Sequence, residues 1–339
     1  MPESHRSTVG SKVAFLIFAC PKSGTTWVQR MLSAHPDIHC SESRAFGGFY
    51  NPTNPSAPHL ALDRFFVDFF SRYHSAPIER DGEKDGRFEN FYHNLTHRVL
   101  DTIATVTLEN TVPSRNSRAR KSVYGEKATP PAFGTSAAIL AGYRRYRADL
   151  PLIHLIRDGR DVAISGFVQR ANNVLNFGTP TPEEAGALRA CLLEQRLPDD
   201  ALHAWADEWA DAVSVGREAA KAWPKAIEIR YELMLEDASS ALRDMLQLIE
   251  EGLDPAERSD KARDKRSLAE ESDIIDACLE AASFRTLSGG RAEGEEDRGS
   301  FFRKGVAGDW RRWLTPAQID WYAASPAGAL LKELGYPAS

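Results

Sequence analysis

The sequence predicts an α/β fold in three layers, a mostly parallel central sheet flanked by helices. Two observations carry that prediction. Three apolar runs rich in β-branched and aromatic residues lie at Val13 to Cys20, Leu150 to Ile156 and Ala226 to Met234, and each is followed by a segment with helical spacing. Strands alternating with helices pair in parallel, because a parallel partner needs a crossover, and the resulting sheet is covered on both faces. Ligands of such sheets bind at the carboxyl ends of the strands, so chemistry is expected where these runs end.

The first run stops at Pro21 and Gly24, both turn formers. Thr26 to Ala34 then sets Trp27, Met31 and Ala34 at helical spacing until His35-Pro36 ends the helix. The run LPLIHLI passes directly into RDGRDVAISGFVQR, where Val162, Phe167 and Val168 suit a second helix that Asp158 and Asp161 cap, unless they pair with Arg160. The third run, AIEIRYELM, precedes an amphipathic helix through Ile249. Proline and turn residues from Gly47 to Pro58 read as a surface loop, followed by an aromatic cluster at Phe65 to Phe70. Charge dominates 250–271, a solvated helix or linker, and Gly289 to Ser300 reads as a mobile loop.

With 339 residues and 42% apolar content the chain can fill a substantial core. Lys and Arg total 42 against 48 Asp and Glu, a formal charge of −6, which argues against broad nucleic-acid binding and makes any anion site local. Cys20, Cys40, Cys191 and Cys278 are scattered without metal-ligand or disulfide spacing, which fits a reducing, cytoplasmic compartment and no bound metal. The longest N-terminal apolar run is far too short to span a bilayer and lacks a secretory cleavage site, so no membrane partner is expected.

The stretch PKSGTTW sits between a strand and a helix, where backbone N–H groups and the positive end of the helix dipole face an anion. Gly24 lets the chain turn tightly, Ser23, Thr25 and Thr26 add hydroxyl donors, and Lys22 adds a full charge. Thr25 or Thr26 alone would read as a helix cap. The five together read as an anion loop. A nucleoside-triphosphate kinase would carry G-x-x-x-x-G-K-[ST] and a magnesium-holding carboxylate at a strand end; here the lysine precedes the glycine and the second strand ends in Arg157.

On these residues the chain resembles the sulfotransferases that use 3′-phosphoadenosine 5′-phosphosulfate, PAPS. PKSGTTW is similar to their 5′-phosphosulfate loop, LIRDGRDVAISGF to their 3′-phosphate segment with Arg157 and Ser165, and FFRKGVAGDWRRWLT to their C-terminal loop with Arg303, Lys304 and Gly305. The resemblance implies one sulfotransferase domain over 1–339 with a P-loop-like nucleotide-binding fold. It implies a nucleotide-covering loop at 284–315, while the segments 43–124 and 172–198, which match no pattern, are expected to supply the acceptor pocket as cap insertions. It further implies that Trp27, Tyr231 and Phe284 surround the adenine, that the product is adenosine 3′,5′-bisphosphate, and that the acceptor is a small molecule carrying a hydroxyl or amine. A homodimer stays open.

Sulfuryl transfer needs a donor group for the departing phosphate, assigned to Lys22, and a base for the acceptor proton. The best-known branch of the family has K-x-H, but GEKATPP sets Lys127 at the lysine and Thr129 where histidine would fall. GEKATP looks more like the carbohydrate-type branch, whose base is a glutamate shortly after the first helix. That position is Glu42, with Lys127 placing acceptor or sulfonate and Glu126 ranked second as base. His93 and His97 lack a third ligand, although one of them entering the acceptor pocket stays open; His154 falls within a strand. A fold that binds nucleotide without catalysis is the remaining alternative.

Overall fold

The computed structural model describes residues 11–42, 79–80, 83–84, 86–111, 120–130, 135–253, 267–269 and 271–337. Its first strand, β1 (Val13–Phe18), is buried along its whole length. Phe15 and Ile17 point into one hydrophobic cluster, and Leu16 and Phe18 into another on the opposite face. That alternation is why the run is continuously apolar: a strand covered on both sides has no face for polar residues. Each fully buried side chain of this size contributes about 1.5–3 kcal/mol.

Helix α1 (Thr25–Ala34) follows, ended by His35 as expected. Next come β2 (Ile38–Ser41), α2 (Gly86–Glu109), β3 (Val123–Ala128), α3 (Ser136–Tyr146), β4 (Leu152–Ile156) and α4 (Gly159–Phe177). After α5 (Pro182–Glu194) and α6 (Asp199–Ala222), β5 (Ala226–Arg230) completes the sheet. It leads into α7 (Tyr231–Glu236) and α8 (Ala238–Gly252). The remaining helices are α9 (Ser272–Ala281), α10 (Phe284–Leu287), α11 (Trp310–Trp313), α12 (Pro316–Ala324) and α13 (Pro326–Glu333).

The strand order is β2-β3-β1-β4-β5, and every pairing is parallel. A separate two-residue ladder joins Glu79–Arg80 to Glu83–Lys84. The chain leaves β1 toward β3 and β2 but leaves β4 toward β5, so the order reverses between the neighbours β1 and β4. A crevice opens at such a switch point, above the strand ends.

Two expectations need correction. The third strand ends at Arg230, four residues short of Met234, because Tyr231 opens a helical turn at the crevice. Two strands, β2 and β3, carry no long apolar run: β3 reads VYGEKA, yet all six residues are buried. Residues 254–266, within the charged stretch, lie outside the described residues, as do the proline-rich loop and the aromatic cluster at Phe65 to Phe70. Among the described residues no helix is long and apolar enough to cross a membrane.

Candidate functional site

All five strands point the same way, and the residues after each carboxyl end line one cavity of about 670 Å³. β1 delivers Lys22, Gly24, Thr25 and Thr26, β2 delivers Glu42, β3 delivers Lys127 and Thr129, β4 delivers Arg157, and β5 delivers Tyr231. Phe284 and the segment Arg303, Lys304, Gly305 reach the same cavity from the C-terminal part.

The turn after β1 is tightly wound. Lys22 has φ 71° and Gly24 φ 93°, and the amide of Ser23 donates to the Cys20 carbonyl at 3.3 Å. Gly24 stands at the N-cap of α1 with no side chain capping it, so the first amides of the helix keep their donors. A Cβ on Gly24 would sit 2.6 Å from the Tyr231 ring, so only glycine allows this turn and this ring to coexist. Thr25 and Thr26 line the cavity; Ser23 is fully buried, its hydroxyl without a partner, and does not line it.

Lys22 is surrounded by like charge. Burial, reinforced by Arg157, Lys127 and Arg303, lowers its ammonium to a pKa of about 7. Its Nζ also lies 4.3 Å over the Phe301 ring, a contact that retains some cation binding in the absence of an anion.

Arg157 links the two halves of the crevice. Its guanidinium donates to the Lys22 carbonyl at 3.2 Å and to the Val306 carbonyl at 3.0 Å, lies 4.3 Å over the Tyr231 ring, and keeps a buried Nε without a partner. Ser165, two turns along α4, lines the cavity beside it. Asp158 caps α4 and pairs with Arg160 at 2.7 Å, as expected. Asp161 accepts from the amides of Gly308 and Trp310 at 2.6 and 3.0 Å, which ties the C-terminal loop to the same helix start.

The segment 289–300 is irregular but cross-tied, which corrects the expectation of a mobile loop. Gly294 donates to the Lys304 carbonyl and Asp297 to the Arg303 carbonyl, both at 2.9 Å, and Arg291 donates to the carbonyls of Phe302 and Arg303. Arg303 pairs with Glu296 and Asp309, and Lys304 with Asp309, so these cations are held in place by carboxylates. A Cβ on Gly305, at φ 68°, would come 2.4 Å from Phe284. Each of the two glycine turns therefore seats one of the aromatic rings. Trp27 meets Tyr231 edge-on at 5.6 Å.

Lys127 Nζ binds the Glu42 carboxylate at 2.9 Å and reaches Thr26 Oγ1 at 3.5 Å. Glu126 faces the other side of β3: it is fully buried and accepts from the hydroxyls of Tyr124 and Tyr143. Alternation along a strand makes the two neighbours diverge, which separates Glu126 from the cavity. His154 binds Glu228 at 3.1 Å and His97 packs on Tyr146; neither lines the cavity, and the side chain of His93 lies outside the described residues. Among the described residues, no group of three or more His, Cys, Asp or Glu could hold a metal ion.

Several lining residues escaped the sequence reading. Gln169 and Asn173 follow Ser165 at intervals of four, and Gln29 and Arg30 follow Thr25 and Thr26 likewise, so extending each motif along its own helix face would have found them. Phe301 opens the C-terminal motif itself, whereas Glu293 had no such signal.

A parallel sheet whose switch point gathers cations, uncapped helix amides and glycine turns into one crevice defines an α/β protein with a set of anion-compatible donors at its strand ends. This chain belongs to the sulfotransferase family: the sulfotransferase domain model matches residues 13–324. The protein is thus an enzyme that transfers a sulfuryl group. No curated protein sequence matches it. Similar solved structures include mouse sulfotransferase SULT7A1 complexed with PAP, 17% identical with a TM-score of 0.48 over 96% of this chain and 88% of that one. The sulfotransferase domain from the curacin biosynthetic pathway is 15% identical with a TM-score of 0.48, over 95% and 97%. Retinol dehydratase in complex with androsterone and inactive cofactor PAP is 16% identical with a TM-score of 0.43, over 94% and 80%.

Proposed function

We propose that the sulfuryl donor is PAPS and that the acceptor is a hydroxyl or amine of a small molecule. The observation that carries this reading is the contact between the two predicted phosphate segments, Arg157 donating to the Lys22 carbonyl at 3.2 Å. Two cation clusters so joined can grip the two ends of one doubly phosphorylated adenosine. The residues present fit that group: an uncapped helix start and Lys22 for the 5′ end, Arg157, Ser165 and the Arg303-Lys304-Gly305 turn for the 3′ end, and three rings for the base.

When bound, the donor supplies a sulfuryl group whose bond to the 5′-phosphate oxygen breaks as a bond to the acceptor forms. The protein's part is to place and stabilise. Lys22, protonated once an anion faces it, meets the negative charge growing on the departing phosphate together with the free amides at the start of α1. Glu42 takes the acceptor proton, and Lys127, held between Glu42 and Thr26, steers the sulfonate toward it. The chain acts as a single domain, with 172–198 shaping the acceptor side and 284–315 covering the nucleotide; the expected insertion at 43–124 lies largely outside the described residues.

Isothermal titration with adenosine 3′,5′-bisphosphate against magnesium-ATP tests the donor assignment. Binding of the bisphosphate without metal supports it; stabilisation by magnesium-ATP alone overturns it. Transfer of radiolabelled sulfate to a panel of phenols, alcohols, sugars and amines then identifies the acceptor class.

A further inference from the structure

A cavity shaped for an anion should contain no spare carboxylate, yet Glu293, an exposed residue, lines it and makes no hydrogen bond or ion pair among the described residues. Its neighbours in sequence are committed: Glu295 accepts from the Ala292 amide at 2.9 Å, and Glu296 pairs with Arg298 and Arg303. Glu293 is not loosely hung. Arg291 on one side donates to the carbonyls of Phe302 and Arg303 and stacks on Phe284 at 5.3 Å, and on the other side the Gly294 amide donates to the Lys304 carbonyl. The turn carrying Glu293 is thereby fixed against both the Phe284 ring and the Arg303-Lys304-Gly305 turn.

An unpaired carboxylate beside a phosphate would repel it, so its place must be the uncharged end of the ligand. The charge of Glu293 indeed reaches Tyr231, where it helps to disfavour the phenolate. Tyr231, Trp27 and Phe284 line the same cavity and are the rings that surround the base in the proposed donor complex.

Resting on the proposed donor, we infer that Glu293 reads the base, its carboxylate accepting a hydrogen bond from the 6-amino group of adenine. Adenine offers a donor there, whereas hypoxanthine and guanine present a 6-oxo oxygen that a carboxylate repels. Glu293 is then a specificity-determining residue, with the Arg291 clamp setting its position. A hydrogen bond accepted by a charged carboxylate, set against repulsion of a 6-oxo oxygen, discriminates by about tenfold or more.

The test is titration of wild type, Glu293→Ala and Glu293→Gln with adenosine 3′,5′-bisphosphate and inosine 3′,5′-bisphosphate, with ligand-free melting temperatures to check folding. Wild type is expected to prefer adenosine by about tenfold or more. Glu293→Ala should lose most of that preference by weakening adenosine binding while leaving inosine binding equal or tighter. Glu293→Gln, whose amide can donate, should improve inosine binding. An unchanged adenosine-to-inosine ratio in both variants overturns the inference while leaving the donor assignment standing. Failure of wild type to bind either bisphosphate overturns the donor assignment itself.

Discussion

Lys127 and Glu42 meet at 2.9 Å across two adjacent strand ends, β3 and β2, whose register pairs Ser41 with Glu126. The pair places a carboxylate, 25% exposed at its side chain, next to the lysine that also touches Thr26 of the anion loop. Removing the base while keeping its shape tests its role. Glu42→Gln is expected to lower kcat by about 100-fold or more with the affinity for adenosine 3′,5′-bisphosphate unchanged. Steady-state kinetics at saturating donor, set beside titration of the nucleotide, checks this. A kcat within a factor of three of wild type would remove Glu42 as the base.

Lys22 is expected to make nucleotide binding depend on pH. Its pKa is lowered to about 7 in the free protein by burial and three neighbouring cations, and a phosphate facing it raises that value. The protonated form binds better, so affinity is full below pH 7 and falls above it by up to tenfold per pH unit until the pKa of the complex is reached. Titration between pH 7 and 9, where the phosphates are already ionised, reads the slope, and proton uptake in buffers of different ionisation enthalpy confirms it. A flat profile in that window contradicts the assignment.

The same residue predicts a conflict between stability and activity. A folded-state pKa below the ordinary lysine value of 10.5 means that the unfolded chain holds more protons between pH 7 and that value. The penalty of keeping Lys22 charged is thus fully present below pH 7 and fades as pH rises through the window. Lys22→Met should raise the ligand-free melting temperature, most of all at pH 6 and least at pH 10, while lowering kcat by about 100-fold or more. Thermal melts at the two pH values and an activity assay test both halves.

Gly24 carries two constraints at once, a left-handed φ of 93° and a Tyr231 ring 2.6 Å from where a Cβ would stand. Gly24→Ala is expected to cost about 1–2 kcal/mol of stability from the backbone alone. It should weaken adenosine 3′,5′-bisphosphate more severely, because the displaced ring belongs to the cavity. Chemical denaturation and nucleotide titration on the same sample separate the two effects.

Asp161 accepts two amides of the C-terminal loop from a fully buried position, and burial pushes its carboxyl up. Asp161→Ala leaves the Gly308 and Trp310 amides unpaired, a loss of about 1–3 kcal/mol. It also frees the loop that carries Arg303 to Gly305, so donor KM should rise while kcat at saturation is retained. A parallel fall in kcat would instead show that the loop takes part in the chemical step.

How far the sequence carries the fold can be read from particular elements. β1 and β4 are legible because strands buried on both faces must be apolar throughout. β3 is not: Glu126 and Lys127 interrupt any apolar run, and they are tolerated in a buried strand only because two tyrosine hydroxyls serve one side and the Glu42 carboxylate serves the other. Tyr124 lies two residues from Glu126 on the same strand, but Tyr143 is 17 residues on and Glu42 follows another strand, so no local pattern announces the full set.

The chain's local chemistry alone determined the α/β class, the anion turn at Lys22 to Thr26, the arginine leaving β4 and the basic turn at 303–305, since each depends on residue types within a few positions. Tertiary structure decided what lies between them. It separated Glu42 from Glu126, committed Arg303 and Lys304 to Asp309, and turned Glu293 into the cavity. The reason is that side-chain direction across a strand, and the pairing of charges far apart in sequence, are set by sheet order and loop packing, which no short window of residues contains.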